Sequence, residues 1–122
     1  MARILLVEDD EQLVSVLTKH LTNQGFEVLW ANRMDQALIL FRGNPVDLVI
    51  TDFHIQHGSG RRLLNEVKKL REGTPVFLIT GTPGVDEDAL SVMRFNKVFS
   101  KPFSAAALMK EVKKACIDTI SG

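Results

Sequence analysis

Five short apolar, β-branched runs recur along this chain, at residues 3–8, 26–31, 47–52, 75–80 and 97–100. Between them the apolar period changes from that of a strand to that of a helix. Leu13, Leu17 and Leu21 fall on one helical stripe, as do Ala37, Leu38 and Phe41, then Leu63, Leu64, Val67 and Leu70, and last Ala107, Leu108, Val112 and Ala115. Strands separated in this way by helices are joined by crossovers, so the sheet is parallel and its helices cover both faces. The expectation is a five-stranded α/β sandwich. With 122 residues, 45% of them hydrophobic, the chain can build one core without disulfide or metal staples. No repeat, low-complexity segment or Pro/Ser-rich linker marks a boundary, and a single domain over residues 1–122 is expected.

In an open parallel sheet a ligand sits outside the carboxyl ends of the strands, where the strand order reverses. The first strand ends in Glu8-Asp9-Asp10 and runs straight into Glu11. The third ends in Thr51-Asp52, the fourth in Thr80-Gly81-Thr82 and the fifth in Ser100-Lys101-Pro102. If the first and third strands are neighbours, their carboxylates converge, and the repulsion between them demands a raised pKa or a cation. Such oxygen donors suit a hard ion such as Mg²⁺. Lys101 adds a compact positive charge able to pair with a carboxylate and later with a phosphoryl oxygen, and Thr80 adds one hydroxyl donor.

Taken singly, these residues have ordinary explanations. Acids at a helix start face its dipole, and Glu11 is assigned that role. An Asp after a strand forms turns, and a Lys before Pro is commonly solvated. Acids, hydroxyl and lysine at the same end of successive strands, however, have little structural reason to recur, and they point to a metal site.

Composition removes several function classes. Fifteen Lys and Arg balance fifteen Asp and Glu, which argues against a broad nucleic-acid surface. No apolar run approaches the roughly 20 residues of a membrane span, and the first residues lack the layout of a signal peptide. Cys116 is the only cysteine, so no disulfide framework or Cys-based zinc site is available, and a reducing, cytoplasmic home is expected. Neither nucleic acid nor membrane is an expected direct partner. Gly58-Ser59-Gly60 and Gly81-Thr82-Pro83-Gly84 lack dinucleotide or P-loop spacing and are assigned to loops. Without further His or Cys at ligand spacing, His54 and His57 are expected to be solvated loop residues, and His20 a surface residue on a helix. Trp30 and the scattered Phe residues are expected in the core, not on a base-stacking platform.

The segments ILLVED, DLVITD ending at Asp52, GSGRRLL with Gly60, LITGT around Thr80, and KPF from Lys101 occur in this order. In that combination the chain resembles the response-regulator receiver domain, the phosphoacceptor module of two-component signalling, over essentially all its length. The resemblance implies a three-layer, flavodoxin-like (βα)5 fold with strand order 2-1-3-4-5, which sets the first and third strands side by side. The family's two metal-site acids follow the first strand directly, with an apolar helix residue four positions past the second. Leu13 stands four after Asp9, which selects Glu8 and Asp9 and leaves Asp10 as the helix cap.

By the same resemblance Asp52 matches the phosphorylated aspartate and a metal ligand, and His54 the residue whose backbone carbonyl completes the metal shell. Thr80 matches the switch hydroxyl and Lys101 the phosphoryl-binding lysine, followed by a bond to Pro102 that is typically cis. Mg²⁺ is the implied cofactor. A sensor histidine kinase or phosphotransfer protein is the implied donor, and an output protein or output domain receives the signal. The module catalyses its own phosphorylation and dephosphorylation and is not a dedicated enzyme.

Three departures from the pattern stand out. Ile55-Gln56 replaces the usual Met-Pro pair, which should leave that loop less rigidly held. Val98 occupies the aromatic switch position, the chain has no Tyr, and Phe99 alternates to the other side of the strand. Arg94-Phe95-Asn96 replaces the usual Gly-Ala before the last strand. With Val98 too small to swing, the switch is expected to travel through the loop of residues 81–84. Two other functions would use much the same residues. One is a receiver-like binding module that works unphosphorylated, suggested by Val98; the other is an aspartate-based phosphohydrolase, against which the chain lacks a substrate cap and a second acid. The chain could equally be a fragment of a longer DNA-binding regulator or hybrid kinase.

Overall fold

Among the described residues nine elements follow one another: β1 (Arg3–Val7), α1 (Glu11–Asn23), β2 (Glu27–Ala31), α2 (Met34–Gly43), β3 (Leu48–Asp52), α3 (Gly60–Leu70), β4 (Val76–Thr80), β5 (Lys97–Ser100) and α4 (Ala105–Ser121). This computed structural model describes residues 2–81 and 94–121. Residues 82–84 of the expected switch loop, and any helix between β4 and β5, lie outside the described residues. The five strands are all parallel, in the order β2-β1-β3-β4-β5, as the family resemblance implied.

Strand alternation distributes the core over two faces. Ile4, Leu6, Leu48, Ile50, Phe77 and Ile79 point to one face, where Leu17 and Leu21 of α1 and Leu108 and Val112 of α4 cover them. Leu5, Val7, Val49 and Val76 point to the other, under Ala37 and Phe41 of α2 and Leu63, Leu64 and Val67 of α3. Burial on both faces explains why β1, β3 and β4 are continuous apolar runs and not alternating ones.

Local signals set the helix starts. The Asp10 carboxylate accepts from the amides of Gln12 and Leu13 and so caps α1, and the Ser59 hydroxyl accepts from Arg62 N and caps α3. Three expectations need correction. Leu70, the last residue of α3, is exposed. Ala107 is also exposed, because the buried stripe of α4 runs through Leu108, Met109, Val112 and Cys116. Trp30 is no core residue: on the edge strand β2 it remains 39% exposed.

The loop after β3 is held more firmly than Ile55-Gln56 led one to expect. Ile55 is buried in the core, Arg33 and Gln56 form a parallel bridge, and Met34 N donates to Gln56 O at 2.9 Å. At the loop's far end Gly60 N donates to Phe53 O at 2.7 Å. Gly60 itself sits so close to β3 that a Cβ there would lie 2.5 Å from Asp52 O and 3.0 Å from Phe53 Cα. The anchoring that a Met-Pro pair would supply comes here from an apolar anchor and main-chain bonds to the start of α2.

Candidate functional site

Val7 pairs with Thr51 across β1 and β3, so the next residues on the two strands, Glu8 and Asp52, emerge side by side at the carboxyl edge. Carboxylate oxygens of Glu8, Asp9 and Asp52 all lie within 4.8 Å of one another. Glu8 is fully buried, the Asp52 side chain is largely buried, and Asp9 is exposed. The cluster therefore has a closed floor and an open rim.

Two more strands deliver the cation and the hydroxyl. Thr80 pairs with Ser100 at the ends of β4 and β5, and Lys101 N donates to Thr80 O at 2.7 Å. The Lys101–Pro102 peptide is cis. From here Lys101 Nζ reaches 3.3 Å from Glu8 Oε2 and 3.3 Å from Asp52 Oδ2. Gly81 leaves room for that stem, since a Cβ on it would come within 3.1 Å of Lys101 Cδ. Thr80 is buried one residue past Ile79, the partner of Asp52 in the ladder.

Burial first, and then the negative charge of Asp52, raise the Glu8 pKa from the ordinary 4.5 to about 7, against the opposing effects of the Asp10 amide and Lys101. For Lys101, burial alone acts to lower the pKa, but Glu8 and Asp52 outweigh it and hold the ammonium above its ordinary value. One ammonium thus pairs with two of three clustered carboxylates. Hard oxygen donors in surplus, open to solvent on one side, fit a Mg²⁺ ion that keeps part of its water shell.

His54 lies exposed in the loop just past Asp52, with its ring edge-on to Phe53 at a centroid separation of 5.2 Å; its ring is no part of the carboxylate cluster. Asp10 serves the first helix as cap, and its amide also donates to Glu8 Oε1 at 3.2 Å. Sequence reasoning missed Trp30, whose indole N–H donates to the Glu8 carbonyl at 2.8 Å. The signal was available only as register: Trp30 pairs with Leu6 at the end of β2, two residues before the acid.

Comparison with known proteins agrees with this geometry. The family model described as response regulator receiver domain matches residues 4–113, and the chain belongs to that family, the receiver domains of two-component response regulators. The response regulator receiver protein CpdR of Brucella abortus is 31% identical over 121 residues, covering 96% of this chain and 98% of the relative. The transcriptional regulatory protein GlrR of Escherichia coli is 30% identical over 115 residues, and the chain spans only 26% of that regulator's length. Among solved structures, the response regulator protein TrrA from Thermotoga maritima, in complex with Mg²⁺ and BeF, is 30% identical with a TM-score of 0.84, covering 94% of this chain and 99% of that one. No described helix is long and apolar enough to cross a membrane.

Proposed function

We propose that residues 1–122 act as one receiver domain in which Asp52 accepts a phosphoryl group from a phosphohistidine on a sensor kinase or phosphotransfer protein. The observation that carries this assignment is the meeting of Glu8, Asp9 and Asp52 within 4.8 Å, with Lys101 bridging two of them. Glu8, Asp9, Asp52 and the backbone carbonyl of His54 would hold Mg²⁺. When bound, the ion supplies a fixed positive charge that offsets the negative charge of the transferring group.

An Asp52 oxygen attacks phosphorus, the P–N bond to the donor imidazole breaks, and the electron pair leaves with the imidazole nitrogen. Lys101, already placed between Glu8 and Asp52, shifts its ammonium onto the phosphoryl oxygens, and the Thr80 hydroxyl donates to another of them. Burial of Glu8 excludes water from the floor of the site. Catalysis is thus positioning and charge neutralisation by groups that are already in place. The domain is a phosphoacceptor that also returns its phosphoryl group to water, not a dedicated enzyme, and its signal passes to an output protein or output domain. A single buried thiol, Cys116, fits a reducing, cytoplasmic location.

Acetyl phosphate with Mg²⁺ should add one acid-labile phosphoryl group to the parent and none to Asp52→Asn, as read by intact-mass spectrometry. Val98 is non-aromatic and 41% exposed, which favours the rival of a binding module that works unphosphorylated. A parent left unlabelled by acetyl phosphate and by kinase donors, or equal labelling of Asp52→Asn, would decide for that rival or for another acceptor.

A further inference from the structure

The main chain of Glu8 is tied to β2 by two bonds of different kinds. Its N–H donates to Ala31 O at 3.1 Å, continuing the ladder that ends at Val7 and Ala31. In a parallel ladder its carbonyl would next accept from the main-chain N–H of residue 33. Arg33 has left β1 by then and bridges to Gln56 instead. The Trp30 indole N–H supplies the missing donor, at 2.8 Å. We propose that Trp30 is a positioning residue for the cation site: by holding the Glu8 carbonyl it fixes the turn from which the Glu8 and Asp9 carboxylates project.

The remaining contacts of this turn show why one bond has leverage. On its far side Asp10 is fixed as the α1 cap by the amides of Gln12 and Leu13. Glu8 Oε1 accepts from Asp10 N, and Oε2 faces Lys101. Asp9, exposed between these two fixed points, takes its orientation from the main chain on either side. Trp30 is itself 39% exposed, so in Trp30→Phe the space vacated by the indole N–H admits water to the Glu8 carbonyl, and the fold loses little. The turn then samples more orientations, and ordering it for a cation costs affinity.

The proposal rests on the Mg²⁺ assignment made above, and its test separates the two. Trp30 is the only tryptophan of the chain, so its fluorescence and its single indole N–H resonance report on this position alone. In the full chain, titration with Mg²⁺ should move the amide resonances of Asp9 and Asp10 and the Trp30 indole resonance with one common midpoint. Trp30→Phe, which keeps a ring and removes the donor, should bind Mg²⁺ about tenfold more weakly while its unfolding midpoint in EDTA changes little. Its acetyl phosphate labelling should slow at limiting Mg²⁺ and recover at saturating Mg²⁺.

An unchanged Mg²⁺ affinity in a folded Trp30→Phe variant would overturn the positioning role. So would a parent indole resonance that stays still while the Asp9 and Asp10 amides saturate, a result that decides the matter even if the variant fails to fold. A parent whose Asp9 and Asp10 amides ignore Mg²⁺ would remove the cation site itself, and the proposal with it.

Discussion

Replacing Glu8 by Gln should stabilise the protein in EDTA at pH 8 and do nothing for it at pH 4.5. In the unfolded chain this carboxyl ionises near 4.5, whereas in the fold, where it is 1% exposed beside Asp52, it holds its proton to about 7. Between those values the native state binds more protons than the unfolded one, so stability falls as pH rises through the window. The interval from 4.5 to about 7, at about 1.4 kcal/mol per pH unit, amounts to about 3 kcal/mol. Gln carries no charge across this range. Its amide oxygen still accepts from Asp10 N, and Lys101 retains Asp52 at 3.3 Å. The raised value already nets off the attraction of Lys101, so the gain stays at about 3 kcal/mol, or about 9–15 °C in melting temperature for a chain of this size.

The assay is urea or thermal unfolding of both proteins in EDTA, from pH 4.5 to 8.5. Groups remote from the site contribute to both curves alike, so the difference reports Glu8 together with its partners Asp52 and Lys101. A gap that opens between pH 5 and 7 supports the buried, repelled carboxyl. A gap constant with pH would refute it.

Asp52→Asn should also melt higher than the parent in EDTA at pH 8, by about 3–5 °C, because relief of the repulsion on Glu8 exceeds the loss of its contact with Lys101, and it should gain less from added Mg²⁺; a lower melting temperature in EDTA would contradict the convergence of charges. Gly60→Ala should cost about 2 kcal/mol or more in urea unfolding and slow the labelling of Asp52, since the added Cβ meets main-chain atoms of residues 52 and 53 that have nowhere to go; unchanged stability would mean that the close approach is absent. The Cys116 thiol, fully buried and pushed up to about 11 by burial and by the Asp47 charge, should react with iodoacetamide at pH 8 about 100-fold more slowly than a free thiol, and alkylation at the free rate would place it at the surface.

The layer order of this protein is written in one dimension. Residues 4–7, 48–50 and 76–79 are apolar throughout because their strands are buried on both faces, and a helical stripe between such runs leaves a parallel crossover as the economical connection. The acids, the hydroxyl and Lys101 were legible for the same reason: each stands directly after a strand, and all strands of a parallel sheet end on one edge. The cap at Asp10, which acts within a single turn of chain, was legible as well, whereas Ser59, assigned to a loop, proves to cap α3.

Which strand lies beside which was supplied by the family resemblance and not by the pattern of residues, and what depends on exact register and burial was left to the fold. The raised pKa of Glu8 needs both the burial of its side chain and Asp52, 44 positions away in the chain, and neither follows from the residues that flank Glu8. The anchoring of the loop by Ile55 and Gln56 depends on β2 handing its chain over to that loop at Arg33. Trp30, expected in the core because the aromatic residues are scattered through strands and helices, stays at the surface on β2, the edge of the sheet. Its indole finds the Glu8 carbonyl because the β1–β2 register places Trp30 opposite Leu6. Pattern encodes which way a side chain faces; register and edge position, properties of the assembled sheet, decide what it meets there.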